Sequence, residues 1–170
     1  MALGNQFKSE PLTTTYTTEQ YPVGTTYLES ADEVTAAEHT DGTALGLKGD
    51  RTWIFVKASA AITIYDCCIV ASPTGTVSYE VIQSDAAGDN SLDVVGVAQS
   101  AIASGSYGWI VRDGECVVNG AAGITTGLLL DTHTGGQVDD STAAGTLIGK
   151  ALSATDTPVS GTIRARLRLP

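Results

Sequence analysis

Three cysteines, two histidines and a scatter of carboxylates are the groups in this 170-residue chain that could do chemistry, and their spacing argues against it. Cys67 and Cys68 are adjacent, while Cys116 stands alone. An odd count with one neighbouring pair is a poor disulfide framework, because adjacent cysteines bridge only with strain. A zinc site needs spacing such as Cys-x-x-Cys with partners nearby, and neither His39 nor His133 supplies it. Buried free thiols from a reducing compartment and no metal are therefore expected. Asp131 with His133, and the pair Asp139–Asp140, are the candidate acid–base groups. They lie in polar text beside Gly135 and Gly136, and adjacent carboxylates on an extended chain point to opposite faces. No Gly-x-Ser-x-Gly elbow, phosphate loop, zinc helix motif or EF-hand loop is present. The run Gly46-Leu47-Lys48-Gly49-Asp50 is not preceded by a strand feeding a helix, so it does not read as a phosphate cradle. With no nucleophile–base spacing, no catalytic residue and no cofactor site is assigned; a non-enzyme is expected.

Contact chemistry is better represented. Residues 1–43 are rich in threonine, interrupted by Pro11 and Pro22, and carry four widely spaced aromatics: Phe7, Tyr16, Tyr21 and Tyr27. Such a segment has too little apolar content to fold alone, and aromatics on an extended chain act as anchors along another surface. An extended N-terminal arm laid on neighbouring subunits is expected. At the other end, Ile163, Ala165, Leu167 and Leu169 alternate with Arg164, Arg166 and Arg168. Period-two alternation marks a strand with one buried face and, here, one basic face. The arginines either pair with the chain's own acids on adjacent strands or face an acidic partner or sister subunit.

The net charge of −10, from nine Lys and Arg against 19 Asp and Glu, weighs against a nucleic-acid partner, which needs concentrated cations. An anionic membrane surface would repel the same chain. No apolar run is long enough to span a bilayer, and Met1 to Glu10 lacks the apolar core of a signal peptide. Protein partners remain.

The elements that must present these residues are short strands. Hydrophobic residues make up 42% of the chain, charged residues only 16%, and glycine is abundant at 19 residues. Thr, Val and Gly in that proportion favour pleated strands and tight turns over helices, so the expected class is all-β. Strands are predicted at 52–57, 61–65, 68–71, 76–83, 94–98, 107–112, 115–118, 128–131, 137–139, 147–151 and 161–169. Turn chemistry separates them at 72–75, 88–90, Asp113-Gly114, Asn119-Gly120 and Gly135-Gly136. Only 31–39 reads as a short helix, with Ser30 or Asp32 as cap. The division is an arm over 1–43 and a β-domain over 44–170. Within that domain Val95-Gly96-Val97-Ala98 resembles Ile148-Gly149-Lys150-Ala151, 53 residues later. Gly108-Trp109-Ile110-Val111 matches Gly161-Thr162-Ile163-Arg164 at the same offset. Ile64 to Val70 can be laid on Ile124 to Leu130 at an offset of 60. Two copies are too few for a solenoid, so one pseudo-symmetric barrel is expected, each copy giving about half the sheet.

The run from Asp50 to Asp66, with Trp53-Ile54-Phe55-Val56-Lys57-Ala58-Ser59, Ala61-Ile62-Thr63 and Tyr65-Asp66, resembles the cement domain of a family of tailed-phage capsid decoration proteins. So do Val94 to Ala98 with Gly105 to Val111, and Ile148 to Ala151 with Gly161-Thr162-Ile163. The resemblance covers about residues 42–169. It departs from the family in a longer arm, and in Cys67-Cys68 where an apolar residue is commoner. It implies a small β-barrel or β-tulip-like domain with an internal pseudo-repeat. It also implies a homotrimer on the capsid exterior, assembled in the host cytoplasm and binding the major capsid protein to reinforce the shell. A tail-tube, head-completion or fibre subunit is the alternative virion role.

Overall fold

A computed structural model of the chain describes residues 11–36, 47–71, 79–85, 93–140, 148–154 and 161–169. Ten strands are found there: β1 (Thr26–Glu29), β2 (Arg51–Ala58), β3 (Cys67–Val70), β4 (Glu80–Gln83) and β5 (Val94–Ala98) precede the long β6 (Tyr107–Gly120). After it come β7 (Leu129–Thr132), β8 (Val138–Asp140), β9 (Gly149–Ala151) and β10 (Gly161–Arg168). One helix, α1 (Ala31–Ala36), follows β1. The protein is all-β, as its composition led one to expect.

Pairing organises nine of these strands into two closed rings. In the first, β2 pairs with β4 in parallel, β4 with β3, β3 with β5, β5 with the first half of β6, and that half with β2. The second ring repeats the circuit. The far half of β6 meets β8 in parallel, then β8 meets β7, β7 meets β9, β9 meets β10, and β10 returns to β6. Strand β6 is thus the last strand of one ring and the first of the next.

This is the sequence repeat in three dimensions, with a correction. Each copy closes on itself rather than supplying half of one barrel. Gly96 and Gly149 are equivalent: a Cβ at the first would overlap the Val111 carbonyl oxygen, and at the second the Arg166 carbonyl oxygen. Two backbones cross closely at the same point of each ring, and only glycine permits it. Gly108 and Gly161 are not equivalent. Ala98 faces Ile110 whereas Ala151 faces Ala165, so the matching residues of β6 and β10 lie two positions beyond the sequence match.

Burial explains which strands alternate. Ile54, Val56, Cys68, Val81, Ala98 and Ile110 form a buried cluster from the first ring's strands. On the reverse face of β2 and β6, Trp53, Phe55, Trp109 and Val111 belong to a second cluster, continuous with Cys116, Val118, Leu130, Val138, Ile163 and Leu167 of the other ring. Both faces of β2 are covered, hence its nearly unbroken apolar run. Strand β10 has one exposed face and keeps strict alternation.

Several expectations are corrected. Residues 61–65 are not a strand: Ile62 makes one bridge to Ile102, and the chain then turns, with the Asp66 carboxylate accepting from the Thr63 amide at 2.8 Å. Asp113-Gly114 is not a hairpin turn, because β6 runs through it. Pairing with β2 steps from Thr52–Asp113 to Trp53–Val111, leaving Arg112 as an extra residue. Gly114 sits at φ 101° against the backbone of Asp50 and Arg51, so the Asp-Gly pair makes a bulge where β6 changes rings. Asn119-Gly120 likewise lies within β6, and Gly135-Gly136 lies in a short 3-10 turn, Thr134–Gly136. Strand β1 was not anticipated. The helix begins as expected: Ser30 Oγ accepts from the Glu33 amide at 3.4 Å, while Glu33 Oε2 accepts from the Ser30 amide at 3.0 Å. Residues 37–39 of the expected helix, the turns at 72–75 and 88–90, residues 76–78 of the expected strand 76–83 and residue 147 of the expected strand 147–151 lie outside the described residues.

Candidate functional site

The residues singled out for contact fall on two surfaces. Residues 11–29 lie along the first ring of their own chain. Tyr16 forms a bridge with Tyr107, donating its amide to the Tyr107 carbonyl at 2.8 Å and accepting the reciprocal bond at 2.8 Å. The Gly24 amide donates to the Phe55 carbonyl at 2.7 Å, and β1 then pairs with β2. Tyr21 stands edge-on to Phe55 with centroids 5.3 Å apart and lies 5.4 Å from Trp109. Tyr16 is 6.3 Å from Tyr21 and 6.0 Å from Phe55. These rings cover the outward face of the first ring, which is why Phe55 and Trp109 are buried. The contacts described for Tyr16 and Tyr21 are made with the chain's own first ring. Phe7 lies outside the described residues.

Tyr27 tops a charged cluster that holds β1 in place. Glu29 Oε2 accepts from Arg51 Nε at 2.8 Å and from Trp53 Nε1 at 2.7 Å, and the Arg51 guanidinium lies 5.1 Å from the Trp53 ring centroid. Arg51 and Glu29 face each other in register, and both are buried. A buried charge persists only when paired and hydrogen-bonded, which this arrangement achieves. Burial first, and then Glu33 beside it, raises the Tyr27 hydroxyl pKa.

The basic strip lies on the outer face of the second ring. Arg166 and Arg168 are exposed and Arg164 is half-buried. Arg166 Nη2 donates to Glu115 Oε1 at 2.5 Å across the β6–β10 pair. Glu115 is itself buried and also accepts from the Lys48 amide at 2.9 Å. Of the two readings of the strip, internal pairing therefore holds for Arg166. Lys48, Asp50, Asp113, Arg166 and Arg168 line a groove of about 310 Å³ whose charge is mixed.

Between the rings is a polar joint that sequence reasoning missed. Asp66 is buried; its Oδ1 accepts from Asn119 Nδ2 at 2.9 Å, and Gly136 packs against its carboxylate. Desolvation is the main cause that raises the Asp66 pKa, against hydrogen bonds from Thr63 and Asn119 that lower it. Gln99 does the work of a missing strand beside β6: its Nε2 donates to the Val117 carbonyl at 2.9 Å and its Oε1 accepts from the Val117 amide at 3.3 Å. Ser84 bridges to the second ring through the His133 carbonyl and the Gly136 amide, both at 2.9 Å. Nothing in local text distinguishes such residues from loop polars.

Cys67, Cys68 and Cys116 are buried and none is in a disulfide, and desolvation holds the Cys68 and Cys116 thiols far above their ordinary pKa, disfavouring the nucleophilic thiolate. Among the described residues no group of three or more His, Cys, Asp or Glu side chains is placed to hold a metal. Asp131 and Asp139 each use a carboxylate oxygen to accept from the next residue's amide, at 2.7 and 2.8 Å.

No family model matches the chain, and neither does any curated protein sequence. Among solved structures, the fold resembles the head fiber gp8.5 N base in bacteriophage phi29, with a TM-score of 0.54 and 14% identity over 68% of this chain and 92% of that one. At that identity the likeness is one of fold, and what the chain shares with the phage head fibre base is an arrangement of strands.

Proposed function

We propose that this chain is a structural protein of a tailed-phage virion, seated on the head exterior as a cement protein that binds the major capsid protein and stabilises the shell. The observation that carries the proposal is the fold likeness to a protein named for a phage head. Among the described residues, the two pairing circuits share β6 and give each of their strands two neighbours, which limits exposed strand edge. Such a body suits a role in which contact area, not chemistry, is the product. Self-association to a trimer would multiply modest contacts by avidity. The reading is non-catalytic and needs no cofactor.

A second reading, a fibre subunit, is favoured by the same neighbour, the base of a phage head fiber. Heads lacking the protein separate the two. A cement protein co-pellets with them at lattice occupancy and raises the temperature at which they release DNA. A fibre subunit binds sparsely and leaves that temperature unchanged. If the folded full-length chain does not co-pellet at all, both readings are wrong.

A further inference from the structure

Ring closure leaves one strand with an open edge. Among the described residues every strand of the two rings has a partner on each side, and β1 alone has a single partner, β2. Its hydrogen-bond parity follows from the Thr25 carbonyl, which accepts from the Phe55 amide at 2.8 Å. Counting on from that pair, Tyr27 and Glu29 turn their main-chain groups toward Trp53 and Arg51 of β2. Thr26 and Leu28 therefore turn theirs outward, and no hydrogen bond from those groups is found among the described residues. Both residues are exposed, and Leu28, at 64%, is the most exposed of the large hydrophobics described. The devices that usually keep such an edge from pairing are missing. Strand β1 holds no lysine or proline, and its one charge, Glu29, is turned onto Arg51.

We propose that β1 is a self-pairing edge, adding antiparallel to β1 of a second copy about a two-fold axis through Tyr27. In an isologous contact both sides are the same surface, so the complement of this edge is the edge itself. Thr26 then faces Leu28 of the second copy, and Leu28 faces its Thr26. Every outward amide and carbonyl of both strands finds a partner in that register. A shift of two residues leaves Thr26 facing Ser30, or Leu28 facing Gly24, whose amides already donate to Glu33 and Phe55. On one face Leu28 packs beside a β-branched threonine. On the other the two Tyr27 side chains are neighbours at the non-hydrogen-bonded position, where facing residues approach most closely. The β1–β2 ladder thus continues as one sheet across two copies. So short a pairing is marginal alone, and it strengthens where copies are held side by side. Each copy carries −10, so charge opposes the contact and salt favours it. The contact goes beyond the head role proposed above and does not rest on it: it doubles whichever species the rest of the chain forms, monomer or trimer.

The test is sedimentation velocity on the full chain, in low and high salt, for wild type and Leu28→Lys. Protein is taken up to about 1 mM, an effective concentration that tethering reaches. The wild-type species should double in mass as concentration rises, more readily at high salt. Leu28→Lys, a change at an exposed position, should keep the unfolding midpoint and weaken the doubling at least about tenfold. Should it fail to fold, Leu28→Gln is the gentler variant, and the same weakening is expected. Register is read with Tyr27→Cys, which puts a thiol on the axis, while the native cysteines are buried. Facing Cα atoms at a non-hydrogen-bonded pair are about 4.5 Å apart, within disulfide reach. Mild oxidation should therefore link two copies through Tyr27→Cys at least about tenfold faster than through Leu129→Cys on the second ring. A folded wild type that shows no doubling, a folded Leu28→Lys that doubles as wild type does, or a Tyr27→Cys that links no faster than Leu129→Cys would overturn the proposal. Doubling of a monomer with no trimer at any concentration would count against the trimer of the cement reading and leave this contact standing.

Discussion

Replacing Glu29 by Gln should loosen the arm from the body of the protein. Gln keeps an oxygen for Trp53 Nε1 but takes the negative charge from beside Arg51, whose side chain has no solvent exposure. The pair is short, 2.7 Å from Arg51 Nη2 to Glu29 Oε2, and the glutamate side chain is only 8% exposed. Solvent therefore cannot take over the lost interaction. Breaking one partner of a buried pair costs about 3–5 kcal/mol. For a chain of this size that is a fall in melting temperature of about 6–20 °C. The assay is urea unfolding followed by tryptophan fluorescence, which reports on both Trp53 and Trp109, with m checked for constancy. Glu29→Met/Arg51→Met is the companion variant, with both charges removed. Replacing a buried pair by apolar side chains of similar volume is often neutral, so the double variant should recover most of the loss. A Glu29→Gln protein within about 0.5 kcal/mol of wild type at equal m would refute the argument, since surface-like changes fall in that range.

Gly96→Ala and Gly149→Ala should each cost about 1–3 kcal/mol, because both place a methyl against a backbone carbonyl. Gly161→Ala, with open space around it, should stay within about 0.5 kcal/mol in the same urea titrations. Tyr21→Ala should cost about 2 kcal/mol by stripping a half-buried ring from Phe55 and Trp109, and should shift tryptophan emission to the red as Trp109 gains solvent. Asp66 has a raised pKa in the folded chain, so its contribution to stability is fully present below 3.8 and is lost as pH rises through the higher folded value. Subtracting the pH–stability curve of Asp66→Asn from that of wild type should show this decline, whatever the offset from the lost acceptor. A flat difference would show that Asp66 ionises as freely in the native state as in the unfolded chain.

The local chemistry of the chain was legible before folding. Thr, Val and Gly content announced strands, Ser30 or Asp32 announced a helix start, and the alternation from Ile163 to Leu169 gave β10 and its exposed face. That alternation is readable because one side of β10 meets water. The repeat was visible too, through Gly96 and Gly149, since a close backbone crossing leaves a mark at a single position. What the sequence could not decide is how far each copy closes. Ring closure joins Lys57 to Glu80 and Gly120 to Val138 across loops whose text carries no trace of the pairing. Asp113-Gly114 has turn chemistry, yet the same φ near +100° serves a bulge when strands continue on either side. The tyrosines of the arm announced that they would lie on a surface, but an aromatic ring carries no label for whose surface. That surface, from Phe55 to Trp109, exists only once β2 and β6 are paired. The buried joints at Glu29 and Asp66 follow the same logic: a carboxylate becomes structural when a tertiary contact removes its water, and only the folded chain does that.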